Sequence, residues 1–281
     1  MSTRHQSWCY QRRYSGPVEA VIMDMAGTVV DFGSMAPVKA LCRLFADAGV
    51  AITADEARIP MGTHKREHIH ALLQMSRIEQ EWEKRFGHKP NEQTLDELYS
   101  QFIPLQIEVI GQCGDLIPGA RKVLDDLKES GVKLAGNTGY NREMLDALLP
   151  ILKGQGYTPE SAVCVDDVSH GRPLPEMCLK NMLDLRVSCV QACVKVDDSC
   201  VGIEEGLNAG MWTVGLAISG NEVGLDLDEW QALSATEQNK LRIKAYERLY
   251  KSGAHYVVDT IADLPECIRD IEQRLTRGEQ P

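Results

Sequence analysis

"VIMDMAGTVVD", residues 21–31, places Asp24 at the end of an apolar run and follows it with Gly27-Thr28. Read backwards, the run extends as "VEAVIM" (18–23), short and β-rich, the pattern of a buried strand. An acid at such a strand tip, entering a glycine-containing turn, is how a chain presents a nucleophilic carboxylate. A second acid two residues on would be the natural proton donor for a leaving oxygen, but Ala26 stands there. The stretch therefore predicts a first strand with a nucleophile at its end and no acid beside it.

Similar runs recur as "VKLAG" (132–136), "SAVCV" (161–165), "ACVKV" (192–196), "WTVGLA" (212–217) and "HYVVD" (255–259). From residue 118 onward, helical patterns separate them. "PGARKVLDDLKESG" opens with Pro118 and stops at Gly131, a helix with proline at its start and glycine at its end. "NREMLDALLPILKG" reads as the next helix, with Pro150 expected near its end. Strand–helix alternation predicts an α/β fold with a parallel sheet. Residues 34–112 break the rhythm, reading as helices at 37–48, 63–75, 77–86 and 94–110. The expected organisation is an N-terminal tail (1–16), an α/β core (17–33 and 113–281) and a helical insertion (34–112).

The chain has 281 residues, 43% hydrophobic and 25% charged, with a net charge of −11, which suits a globular protein. Its Lys and Arg are scattered, so a nucleic-acid partner is not expected. No apolar run approaches the roughly 18 residues of a membrane span. Nine cysteines without a tight Cys/His metal pattern read as reduced thiols of a cytoplasmic protein. The first 15 residues, "MSTRHQSWCYQRRYS", lack the apolar stretch of a secretory signal.

Open α/β sheets bind ligands at the carboxyl ends of their strands. Those ends carry Asp24, then Asn137-Thr138-Gly139-Tyr140, then Asp166-Asp167 leading to Gly171-Arg172-Pro173, then Asp197-Asp198-Ser199. Carboxylates from two strand tips can hold a hard cation such as Mg²⁺, and a hydroxyl with an arginine can cradle a phosphoryl group. Singly, each has an ordinary explanation: Asp as a turn residue, Thr138 as a helix cap, Arg172 as a surface residue. Their occurrence together, in this order, points to a site.

These four strand ends resemble the motifs of the haloacid dehalogenase superfamily of phosphotransferases. The segments "DMAGTVVDFG", "ITADEARIPMGTHKREH", "GNTGYNREM", "DDVSHGRPLPEM" and "EEGLNAGMWTVG" are, more narrowly, similar to the phosphonoacetaldehyde hydrolase family, from about residue 17 to about residue 275. The resemblance implies a Rossmann-like core with an inserted helical cap. It implies hydrolysis of the carbon–phosphorus bond of phosphonoacetaldehyde to acetaldehyde and phosphate, and a homodimer formed through the caps. It also implies roles: Asp24 as nucleophile, Lys65 as Schiff-base amine, and His68 assisting proton transfers. Mg²⁺ would be held by Asp24, the Ala26 carbonyl and Asp198. Thr138 and Arg172 would bind phosphonate oxygens, with Met61, Gly62 and Tyr140 lining the pocket. The alternatives are a phosphatase or phosphomutase of the same superfamily, or a weakened relative that only binds a ligand.

Ala26 then makes chemical sense. Cleaving a carbon–phosphorus bond releases no oxygen to protonate; the difficulty is the carbanion, which an iminium ion can accept as an enamine. In "MGTHKREHIH" a helix over 63–75 would set His68 one turn from Lys65. His64 and Arg66 would add positive charge and, with burial, disfavour the ammonium form. One departure stands out. The family's fourth motif is Gly-Asp-Thr-x-x-Asp, whereas here Asp197 replaces the glycine and Gly202 the second aspartate. Asp197 or Glu204 are the candidates to compensate.

Overall fold

A computed structural model describes residues 13–281, so the expected tail at 1–16 lies largely outside the described residues. Six strands form one sheet: β1 (Ala20–Met23), β2 (Lys133–Thr138), β3 (Ser161–Cys164), β4 (Cys193–Asp197), β5 (Trp212–Leu216) and β6 (Tyr256–Val258). All pair in parallel, in the order β3-β2-β1-β4-β5-β6. Every β-rich run of the sequence is a strand. Alternate residues of β1 enter two different cores: Val21 and Met23 one, Ala20 and Ile22 the other. Burial on both faces is why the run is continuously apolar rather than alternating.

Five helices make up the insert that follows β1: α1 (Met35–Asp47), α2 (Ala54–Arg58), α3 (Lys65–Leu73), α4 (Ser76–Phe86) and α5 (Glu92–Cys113). Their buried side chains, among them Phe45, Ile69, Ile78 and Phe102, join the same apolar cluster as Val21 and Met23. The helical insert is thus packed continuously onto the sheet layer. Beyond it follow α6 (Ala120–Glu129), α7 (Arg142–Gly154), α8 (Glu176–Asp184), α9 (Cys200–Asn208), α10 (Leu227–Ala232), α11 (Ala235–Lys251) and α12 (Leu264–Thr276).

Pro150 falls near the end of α7, which stops at Gly154, and Pro104 lies inside α5, within the span read as helix. Two helices differ from expectation. Helix α2 has only five residues, too few for a periodic pattern, and is held by a capping box between Thr53 and Glu56. The long helix α11 buries only Ala245 and Leu249, so it shows no broad apolar stripe in the sequence. Among the described residues no disulfide is formed, and no helix is long and apolar enough to cross a membrane.

Candidate active site

In the strand order, β1 connects to β2 on one side while β4 lies on its other side. That reversal opens a crevice at the strand ends, and the acids gather there. The Asp24 amide bonds the Val196 carbonyl at 3.0 Å, which sets the β1 tip beside the end of β4. The chain then turns tightly: the amides of Val29 and Val30 both reach the Met25 carbonyl, at 2.9 and 3.0 Å. Gly27 sits in this turn at φ +87°, and a Cβ there would stand 2.4 Å from a carboxylate oxygen of Asp198. Only glycine meets both demands.

Arg172 is the hub. Its Nη2 donates to Asp24 at 2.8 Å and to the Asn137 side-chain oxygen at 2.7 Å. Its Nε donates to Glu205 at 2.9 Å. Beneath it, the Lys195 ammonium lies 3.0 Å from Asp197 and 3.5 Å from Glu205. Asp24, Asp197, Asp198 and Glu205 are all buried, as are Arg172 and Lys195. Four carboxylates therefore face three buried cations, Arg172, Lys195 and the insert's Lys65, an excess of one negative charge. Burial pushes the Asp24 carboxyl up to about 6, with Arg172 opposing and Asp197 reinforcing. Burial, then the charges of Asp24 and Asp197, push Asp198 well above the carboxylate range. Burial acts on Asp197 too, but Arg172 and Lys195 outweigh it and hold that carboxyl low.

Oxygens of Asp24, Asp197 and Asp198 lie within 4.8 Å of one another. A hard divalent cation fits this set in charge and donor chemistry. Asp197 is already engaged by Arg172 at 3.3 Å, by Lys195, and by the Ser199 amide and hydroxyl at 3.0 and 2.7 Å. Asp24 and Asp198 remain the carboxylates available to the cation. Glu204 is exposed and takes no part. At Gly202 an added Cβ would strike the Asp197 carboxylate at about 2.0 Å, so the acid at 197 fills the space that a side chain at 202 would need.

The helical insert closes the other side. Gly62, at φ +92°, approaches so closely that a Cβ would meet Ser199 Oγ at 2.8 Å. Lys65 opens α3 and is 3% exposed. Its ammonium lies 4.0 Å from the Met61 sulfur and 5.8 Å from the centre of the Tyr140 ring. Burial lowers its pKa to about 8; Asp24 and Asp198 oppose the shift and Arg172 adds to it. The cationic neighbour is thus Arg172, not the local residues expected from sequence. Arg66 turns outward to Glu92 and Asp96, at 2.7 and 2.8 Å, and His64 lies against Tyr99 with ring centres 5.7 Å apart. His68, fully buried, bonds the Ala57 carbonyl through Nε2 at 2.8 Å, while Nδ1 has no partner. Burial and then Lys65 hold its pKa down near 3, so the ring is neutral.

Asp24, Ala26, Met61, Gly62, Thr138, Tyr140, Arg172 and Asp198 surround one cavity of about 30 Å³, with Ser34, Gly139 and Ser199. Thr138 Oγ1 accepts from the Tyr140 amide at 3.2 Å, leaving its own proton to donate. Every residue given a role from sequence is at this cavity or, for Lys65 and His68, on the insert helix beside it; Asp166 and Asp167 instead meet Arg142. Asn137 was named at its strand end without a role, and Lys195 and Glu205 escaped sequence reasoning. The one available signal was a lysine inside an otherwise apolar strand, "ACVKV".

Residues 18–210 match the model of the haloacid dehalogenase-like hydrolases. The chain is 50% identical over 275 residues to the phosphonoacetaldehyde hydrolase of Hahella chejuensis, covering 98% of this chain and 94% of that protein. It is 45% identical over 264 residues to the enzyme of the same name from Paraburkholderia phytofirmans, covering 94% and 99%. The solved structure of a phosphonoacetaldehyde hydrolase-like protein from Oleispira antarctica superposes with a TM-score of 0.96 at 50% identity, over 98% of this chain and all of that one. A β-phosphoglucomutase from Clostridium difficile, at 19% identity and TM-score 0.64 over 92% of this chain and 98% of its own, shares the fold.

Proposed function

Because the chain belongs to the phosphonoacetaldehyde hydrolase family of haloacid dehalogenase-like hydrolases, we propose that it hydrolyses the carbon–phosphorus bond of phosphonoacetaldehyde, giving acetaldehyde and phosphate. The observation that carries this reading is a buried lysine amine on the helical insert, Lys65, 4.0 Å from the sulfur of Met61, which lines the Asp24 cavity where Ala26 replaces an acid. Residues 34–112 act as a cap on a core of 17–33 and 113–281, and two copies pair through their caps. The free thiols suit a reducing cytoplasm.

The Lys65 amine, made available near neutrality by its lowered pKa, condenses with the aldehyde and loses water to give an imine, protonated as an iminium. Asp24 attacks phosphorus in line. The electron pair of the carbon–phosphorus bond moves into the iminium and leaves an enamine on Lys65, while the phosphoryl group becomes an acyl phosphate on Asp24. Thr138 and Arg172 bind phosphonate oxygens and stabilise their charge in the transition state. Mg²⁺, held by Asp24, the Ala26 carbonyl and Asp198, would neutralise charge between the nucleophile and the phosphonate. His68 offers Nδ1 as a proton acceptor, since Nε2 is committed to Ala57. Protonation of the enamine and attack of water on the imine release acetaldehyde, and water hydrolyses the Asp24 acyl phosphate to free carboxylate and phosphate.

Borohydride reduction in the presence of phosphonoacetaldehyde tests this. A stable adduct mapped to Lys65, absent in Lys65→Arg, is expected together with phosphate release. No adduct, or faster phosphate release from phosphate monoesters, would reject the reading.

A further inference from the structure

The chemistry above leaves three fully buried charges unused, Lys195 and Asp197 on β4 and Glu205 on α9, all 0% exposed. Helix α9 makes room for them. Its Gly206, one turn after Gly202, has no space for a side chain because a Cβ would stand 2.7 Å from Lys195 Cβ. The two glycines thus let α9 settle onto β4 with Asp197 and Lys195 between them. Buried ion pairs are often replaceable by apolar residues at no cost in stability, so packing alone does not account for this one.

A closed ring of contacts links the pair to the site. Glu205 accepts from Arg172 Nε at 2.9 Å and from Asn137 Nδ2 at 3.1 Å. The Asn137 oxygen accepts from both Lys195 and Arg172 Nη2. Arg172 Nη1 makes no hydrogen bond among the described residues, and Arg172 lines the cavity. We infer that Lys195, Glu205 and Asn137 are positioning residues that hold the Arg172 guanidinium in the plane that binds the substrate's phosphonate oxygens. The inference rests on the functional reading above in taking Arg172 as the phosphonate ligand. Lys195 neutralises Asp197 and Glu205 from below. Without it, Arg172 becomes the sole cation for both and is drawn down, away from Asp24 and the cavity.

The test is a cycle of Lys195→Met, Glu205→Gln and the double variant in Mg²⁺ buffer, with inorganic phosphate affinity read by calorimetry beside kcat and KM. Lys195→Met should weaken phosphate binding by about 10- to 100-fold, and Glu205→Gln by less. The double variant keeps the original charge balance and should regain most of the loss. A folded Lys195→Met that binds phosphate within about twofold of wild type, or a double variant no better than the single, would overturn the proposal. If Lys195→Met does not fold, Glu205→Gln and the double variant decide it. Weakening in Glu205→Gln that the double relieves supports the brace, and phosphate affinity unchanged in both refutes it. A wild type that releases no phosphate from phosphonoacetaldehyde would fail the functional reading, leaving the brace to be judged on phosphate affinity alone.

Discussion

At the scale of single residues, the proposed chemistry turns on the proton carried by Lys65. Its pKa is lowered to about 8, chiefly by burial, and only the neutral amine attacks an aldehyde. Below that value the reactive fraction falls tenfold per pH unit; above it the fraction is constant. The pH profile of kcat/KM should therefore rise with unit slope up to about 8 and then level. Lys65→Arg, which keeps the charge but cannot form an imine, should lower kcat by at least about 10³-fold. A profile flat from pH 6 to 8 would show that this amine is not the titrating group. Lys65 was legible because its segment is distinctive. Lys195 was not, since one lysine in "ACVKV" reads as a solvent-facing strand residue, and only the tertiary fold places it beneath Arg172.

At the scale of elements, α9 and α2 are the informative ones. The Asp197 carboxylate occupies the space next to Gly202, so Gly202→Asp alone should destabilise the protein by about 1–3 kcal/mol in urea unfolding. Asp197→Gly combined with Gly202→Asp should recover most of that loss, because the collision disappears. Equal stability of the single and double variants would contradict this coupling. Helix α2 ends in Arg58, which ties the insert to the core. Its guanidinium donates to the Gly33 carbonyl at 2.9 Å, the Gly224 carbonyl at 2.8 Å and the Asn221 side chain at 3.3 Å. Arg58→Ala strands these acceptors and should cost about 1–3 kcal/mol, with a higher KM as the insert loosens. Arg58→Lys, lacking the planar fork, should recover only part of it; full recovery would argue for charge alone. The strands and the longer helices of the insert were readable from periodicity. Helix α2 was not, because five residues carry no period and its clamp partners lie far along the chain.

At the scale of the whole molecule, the insert and two strand tips together enclose four carboxylates against three cations, Arg172, Lys195 and Lys65. The sequence named the acids at the strand ends. It could not reveal how tightly the insert shuts over them, because contacts such as Gly62 against Ser199 depend on a packing angle that no local pattern encodes. The excess negative charge makes the metal-free protein work against its own stability. Asp198 accepts from Thr28 Oγ1 at 3.2 Å and from the Asn221 amide at 2.8 Å, while Asp24 and Asp197 repel it. Asp198→Asn keeps an acceptor oxygen and removes the repulsion, so in EDTA it should be more stable than wild type by about 1 kcal/mol. Saturating Mg²⁺ should reverse the order. Wild type gains about 2.7 kcal/mol at a hundredfold excess over the dissociation constant, whereas the variant gains nothing and has lost turnover. Thermal unfolding of both proteins, with EDTA and with Mg²⁺, makes the comparison. An Asp198→Asn protein that is less stable than wild type in EDTA, or that Mg²⁺ still stabilises, would mean that the acid cluster is not held in tension for a divalent cation.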